Sequence, residues 1–181
     1  MKIGLTQRVL FHKERAYDAI EHGWYSYLKD HTLVFVPNNP DQNFQQLADN
    51  LDLLIITGGD SDAIRVVTEI RIATQMLHRN KPIIGVCHGA FLLTELCGGK
   101  NGHTTGHIDQ QHVVQYNNQS YTVNSYHDQA IIREPKTAQV LCTDSTGNCE
   151  AWIDRNIAAV VWHPERMLDP WLPSEIAQLL T

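Results

Sequence analysis

The chain has 181 residues, 43% of them hydrophobic and 19% charged, with a formal net charge of −6. This is ordinary globular composition, long enough for one domain, 1–181, with a substantial core. The acidic balance and the want of any basic stripe exclude nucleic acid and anionic membrane as partners, and no apolar stretch approaches membrane-spanning length.

Met1-Lys2-Ile3-Gly4 runs straight into a strand-like segment, Lys2 to Thr6, so no signal peptide is expected. The four cysteines, Cys87, Cys97, Cys142 and Cys149, lack Cys-x-x-Cys spacing, and a reduced, cytoplasmic setting is the simplest account. Glu14 to Leu28 carries Ala16, Ala19, Ile20, Trp24, Tyr27 and Leu28 near helical spacing and is expected to be a helix. Thr32 to Val36 reads as a strand, ended by the Pro37-Asn38-Asn39-Pro40 loop. Phe44 to Asn50 reads as a short helix and Leu51 to Thr57 as a strand buried on both faces. Alternating helices and apolar strands indicate an α/β domain with a largely parallel central sheet and helices on both faces.

That third strand ends in Thr57-Gly58-Gly59-Asp60-Ser61. Paired glycines at the carboxyl end of a strand allow backbone N–H groups to approach a ligand, and ligands of open α/β sheets bind at that edge. A tight turn would use the same residues. Ile64 to Arg79 follows as an amphipathic helix, with Ile64, Val67, Ile70, Ala73, Met76 and Leu77 expected on its buried face.

Ile83 to Val86 is an apolar strand and Gly89 to Leu96 a helix. The switch falls at Cys87, inside Gly85-Val86-Cys87-His88-Gly89. This is a nucleophile elbow with sulfur as the nucleophile. A sharp strand-to-helix turn crowds its neighbours, hence the glycines, and a helix N-terminus favours thiolate. A cysteine after an apolar strand is also a common core residue, so the elbow alone does not decide.

His103, His107 and His112 stand at spacings of four and five. Imidazoles are common metal ligands, but His103 to Gln111 reads as a loop and no pattern gathers these rings. No metal and no cofactor are expected. His112 to Tyr116 and Tyr121 to Asn124 read as a hairpin. Ala138 to Thr143, Cys149 to Ile153 and Ile157 to Trp162 read as further strands of an antiparallel C-terminal extension, and Pro173 to Leu180 as a closing helix.

The last strand runs into Trp162-His163-Pro164-Glu165. Proline keeps His163 out of helical conformation, and Glu165 stands two residues on, within reach of the imidazole. An acid that orients a base facing a nucleophile is the logic of a triad: Cys87, His163 and Glu165.

On these residues the chain resembles the class I glutamine amidotransferase superfamily, and within it the γ-glutamyl-hydrolase-like branch, peptidase family C26. Thr57-Gly58-Gly59-Asp60 is similar to the family's oxyanion loop, Gly85 to Gly89 to its elbow, and Val123-Asn124-Ser125-Tyr126-His127-Asp128-Gln129-Ala130 to a segment of the branch that hydrolyses γ-glutamyl-aminobutyrate. The resemblance implies a single flavodoxin-like domain and a small γ-glutamyl amide as substrate, cleaved through a γ-glutamyl thioester on Cys87. It implies oxyanion donors in the backbone N–H groups of Gly59 and His88, with Gly58, Asn124, Ser125, Tyr126 and His127 about the glutamyl group. The family usually has glutamine where this chain has Phe91, which shifts weight from free glutamine to a γ-glutamyl conjugate. Gly4 to Arg8 and Thr105-Gly106-His107 are similar to small capsule-cluster hydrolases that release a γ-glutamyl group from a nucleotide phosphoramidate. Two alternatives stay open: a glutaminase subunit feeding ammonia to a separate synthase partner, and a binding module that keeps the fold without the chemistry.

Overall fold

The computed structural model describes every residue except Gly106, so that part of the Thr105 to His107 segment lies outside the described residues. Five parallel strands form the centre of the sheet: β1 (Lys2–Thr6), β4 (Thr32–Val36), β5 (Leu53–Ile56), β6 (Ile83–Val86) and β13 (Ile157–Val160). Their spatial order, β4-β1-β5-β6-β13, is that of a flavodoxin-like doubly wound sheet. Between β6 and β13 the chain makes an antiparallel excursion through β7 (Lys100–His103), β8 (Ile108–Tyr116), β9 (Gln119–Tyr126), β10 (Gln129–Arg133), β11 (Gln139–Thr143) and β12 (Cys149–Asp154). β12 pairs antiparallel with β13, which continues the sheet as β12-β11-β8-β9.

Side-chain alternation divides the core between two faces. Leu53 and Ile55 of β5 join Ile3, Leu5, Trp24 and Trp162 on one side. Leu54 and Ile56 join Ile72, Ala73, Met76 and Leu93 on the other. That second face is covered by α2 (Phe44–Asp49), α3 (Ala63–His78) and α4 (His88–Leu96), and the first by α1 (Gly23–Tyr27) and α5 (Ser174–Ala177). All four β5 residues are buried, as a strand covered on both faces requires. Asp62 caps α3 through a bond from the Ile64 N–H at 3.0 Å, and Asn43 caps α2 from the Gln46 N–H at 3.0 Å. The closing helix is short and ends in a 3-10 turn, Gln178–Leu180.

Three sequence expectations are overturned. Glu14 to Leu28 is not one helix. Its first part pairs as a separate hairpin, β2 (Arg8–His12) with β3 (Arg15–Ala19), and only Gly23–Tyr27 is helical. Lys13 and Glu14 both take positive φ, 47° and 62°, the backbone of a tight two-residue hairpin turn. Asp18 then ties the hairpin to the Pro37 loop by accepting from the Asn38 backbone and side-chain N–H groups at 2.9 and 2.6 Å, so tertiary contacts override helical spacing. The second correction concerns α3. Ile64, Val67 and Ile70 are exposed, while Arg65, Thr68, Glu69, Ile72, Ala73 and Met76 are buried. Third, the stretch from His103 to Gln111 is not all loop, because β8 already begins at Ile108.

Candidate active site

The carboxyl ends of β1, β5, β6 and β13 meet at one edge, as the doubly wound topology dictates for a ligand site. There Cys87 adopts φ 51° and ψ −107° at the head of α4, a strained conformation for a non-glycine residue. The elbow glycines are required by close packing. A Cβ on Gly89 would stand 2.1 Å from the Ile56 carbonyl oxygen, and one on Gly85 would stand 2.4 Å from that of Gly89.

His163, only 1% exposed, lies beside the Cys87 thiol. Its Nδ1 is 2.7 Å from Glu165 Oε1, which fixes the ring and leaves Nε2 for the sulfur. Burial would depress the imidazole's pKa, but hydrogen bonds and charge from Cys87 and Glu165 outweigh it and raise it from 6.5 to about 9. The backbone of His163 is held as well. Its N–H donates to Asn124 Oδ1 and its carbonyl accepts from Asn124 Nδ2, both at 2.8 Å.

A cavity of about 440 Å³ opens over Cys87, walled by Gly59, His88, Phe91, Tyr126, His127 and Arg166 among others. The sequence-expected residues therefore divide. Gly59, His88, Tyr126 and His127 face this space with Cys87 and His163. Asn124 and Ser125 lie outside this lining: Asn124 clamps His163 and lines the neighbouring cavity, and Ser125 Oγ donates to the His107 carbonyl at 2.6 Å. Gly58 makes room for the imidazole, since a Cβ there would lie 2.2 Å from His163 Cε1. Gly58→Ala is expected to push the ring off the sulfur and lower kcat/KM roughly 100-fold, the scale of a 1 Å misplacement, with the far-UV spectrum unchanged; wild-type turnover would show that the ring's seat is not critical.

Arg65, Glu69 and Arg166 escaped the sequence reading. Arg65 of α3 donates to the carbonyls of Thr57 (2.5 Å), Gly58 (3.3 Å) and Asp60 (3.1 Å), fixing the glycine loop from behind. Its charge is met by Glu69 at 2.8 Å, which also accepts from Thr6 Oγ1 and bonds His88 Nε2, both at 2.7 Å. Burial alone would raise the Glu69 pKa; the bond to His88 and the charge of Arg65 reverse that and hold it below the usual value. The i,i+4 spacing of Arg65 and Glu69 was the available signal, but such pairs are usually solvated. At the mouth, Arg8 and Arg166 share the Glu21 carboxylate at 3.2 and 2.7 Å, and Arg166 also stands 3.9 Å from Glu165. The Arg166 guanidinium also covers the Tyr126 ring at 4.7 Å.

A second cluster sits behind the wall. His107, His127 and Glu150 offer ligand atoms within 4.8 Å of one another, a grouping that the sequence spacing does not mark. The sequence spacing considered His103, His107 and His112 alone, whereas His127 and Glu150 arrive from other segments.

Fold and site define a doubly wound α/β protein with a cysteine, a histidine and a glutamate gathered at the carboxyl edge of the sheet. Residues 16–180 match the family of class I glutamine amidotransferases, and the chain belongs to it. It is 26% identical over 176 residues to YvdE of Lactococcus lactis, provisionally named glutamine amidotransferase-like, with 75% of each chain covered. It is 28% identical over 179 residues to the protein Rv2859c of Mycobacterium tuberculosis, provisionally named a glutamine amidotransferase, covering 75% of this chain and 58% of that one. Among solved structures it is similar to a Thermoplasma acidophilum protein provisionally described as a component of GMP synthase (TM-score 0.75, 19% identity, 99% of this chain and 92% of that one). It is also similar to a glutamine amidotransferase from Thermotoga maritima (TM-score 0.72, 12% identity, 91% and 76%). Among the described residues no helix is long and apolar enough to cross a membrane.

Proposed function

We propose that the protein hydrolyses a γ-glutamyl amide bond through a thioester on Cys87, as a stand-alone enzyme of the γ-glutamyl-hydrolase-like branch. The observation that carries this is the strained Cys87 facing a His163 oriented by Glu165. The Cys87 thiolate attacks the γ-carbonyl carbon. Charge on the resulting oxyanion meets the backbone N–H groups of Gly59 and His88, and one such donor is worth roughly 3–4 kcal/mol in other enzymes. As the C–N bond breaks, the His163 imidazolium protonates the departing nitrogen. Water then loses a proton to His163 while attacking the thioester, which frees glutamate and the thiolate.

Two features support a conjugate over free glutamine. Phe91, 5% exposed, supplies an apolar wall where a glutamine side chain would hydrogen-bond the substrate. A neighbouring cavity of about 860 Å³, lined by Tyr121, Asp169 and Trp171, shares Tyr126 and Arg166 with the first and offers room for a leaving group. The test is a panel of γ-glutamyl compounds, glutamine included, against the isolated protein. Hydrolysis of conjugates supports the reading. Glutaminase activity appearing only with an added synthase would favour the ammonia-feeding alternative, in line with the name of the Thermoplasma neighbour.

The raised His163 pKa sets a pH dependence. The imidazolium is the acid for the leaving group, so kcat/KM is expected to fall as pH rises through about 9. The same shift is a stability statement: a histidine raised above its unfolded value stabilises the fold fully below about 6.5 and loses that contribution through about 9. A pH–rate profile together with urea melts across this window checks both, and a flat profile through pH 9 contradicts the assignment.

A further inference from the structure

We propose that His107, His127 and Glu150 bind one divalent transition-metal ion of the zinc class, with His112 orienting the carboxylate, and that this ion braces the wall of the active-site cavity. The site joins three separate segments: His107 just before β8, His127 just after β9, and Glu150 on β12. The imidazole of His107 stands 4.8 Å, ring centre to ring centre, from those of both His112 and His127. Three imidazoles and a buried carboxylate thus share one small volume.

The hydrogen bonds set the donor atoms. His127 is 4% exposed, and its Nδ1–H donates to the Gln129 carbonyl at 2.7 Å. That bond places the proton on Nδ1, leaving the Nε2 lone pair buried and unbonded among the described residues. Metal-bound histidines are held this way, one nitrogen on a carbonyl and the other on the ion. His107 Nδ1 is likewise buried and unbonded. Glu150 is 2% exposed, and the only ion pair it makes among the described residues is with His112, whose Nε2 lies 3.1 Å from Oε2. A carboxylate removed from water needs compensating charge, and a divalent cation supplies it.

Ligand type narrows the ion. Two imidazoles and a carboxylate suit zinc and its neighbours rather than magnesium or calcium, which prefer all-oxygen shells. The donor atoms lie within 4.8 Å of one another, so closing on an ion with bonds of about 2.0–2.2 Å takes side-chain shifts of about 1 Å. The consequence reaches the cavity through His127, whose ring lies 5.8 Å from that of Phe91, and through Tyr126 beside it. Neither the Cys87 chemistry nor the family match calls for this site.

The test uses full-length protein with any affinity tag removed, stripped by chelator and titrated with Co²⁺ as a visible probe. One equivalent is expected to bind with a tetrahedral or five-coordinate absorption band and to raise the melting temperature. Zn²⁺ should displace it and Mg²⁺ should not. Cys87→Ser should bind as wild type, which excludes the catalytic sulfur as a ligand. His127→Ala and Glu150→Gln should abolish binding, and His112→Ala should weaken it roughly 10–100-fold. Should either buried variant fail to fold, His107→Ala, at a partly exposed position, replaces it and should also abolish binding. Absence of stoichiometric binding, loss of the band in Cys87→Ser, or its retention in the His107 or His127 variant would overturn the proposal.

Discussion

Replacing Cys87 by alanine is expected to lower kcat/KM toward a γ-glutamyl amide on the order of 10⁶-fold, the loss seen when one member of a nucleophile–base unit is removed. The protein should remain folded, because alanine removes only the sulfur from a position whose backbone is already strained at φ 51°. Cys87→Gly should go further and stabilise the fold by about 1–3 kcal/mol through release of that strain, while remaining inactive. The pairing matters: a structural cysteine would lose stability and keep function, and a nucleophile does the reverse. Kinetics and urea denaturation on the two variants decide it, and residual activity above a few per cent of wild type would remove Cys87 from the chemistry.

The second large effect is on stability. Arg65→Met is expected to destabilise the protein by about 3–5 kcal/mol, since removing one partner of a buried ion pair strands the other. Arg65 and Glu69 are both fully buried. The substitution also leaves the Thr57, Gly58 and Asp60 carbonyls without the donor that fixes the glycine loop. Activity should therefore fall even under conditions where the variant is fully folded. The double variant Arg65→Met with Glu69→Leu should recover only part of the stability, because it removes the stranded charge but leaves Thr6 Oγ1 and His88 Nε2 without their acceptor, and it should not recover the activity. Urea melts of the three proteins provide the check. A cost under about 1 kcal/mol for Arg65→Met would mean that water reaches Glu69.

The sequence discloses the parts of this molecule that sterics enforce locally. Gly85 and Gly89 mark the elbow because a Cβ at either would collide with backbone, and proline after His163 marks the strand end. The apolar runs at Leu53–Ile56 and Ile83–Val86 announce strands buried on both faces. What stays hidden depends on partners distant in the chain. Arg15–Ala19 carries helical spacing yet pairs as a strand, because Asp18 meets Asn38. Arg65 and Glu69 look like a solvated i,i+4 pair, and only the fold sinks them beneath the glycine loop. That the Asn124 amide also holds the His163 backbone, across 39 positions, has no local signal. His127 and Glu150 carry no spacing signal, since the antiparallel excursion alone brings them together.

The most direct measurement of the central claim is mass spectrometry of the protein quenched during a single turnover of a γ-glutamyl anilide, followed by peptide mapping. The account predicts a γ-glutamyl acyl group on the peptide containing Cys87, carried by sulfur, labile to hydroxylamine and absent from Cys87→Ala. Substrate hydrolysed with no acyl group trapped under those conditions, or an acyl group on any other residue, would contradict it.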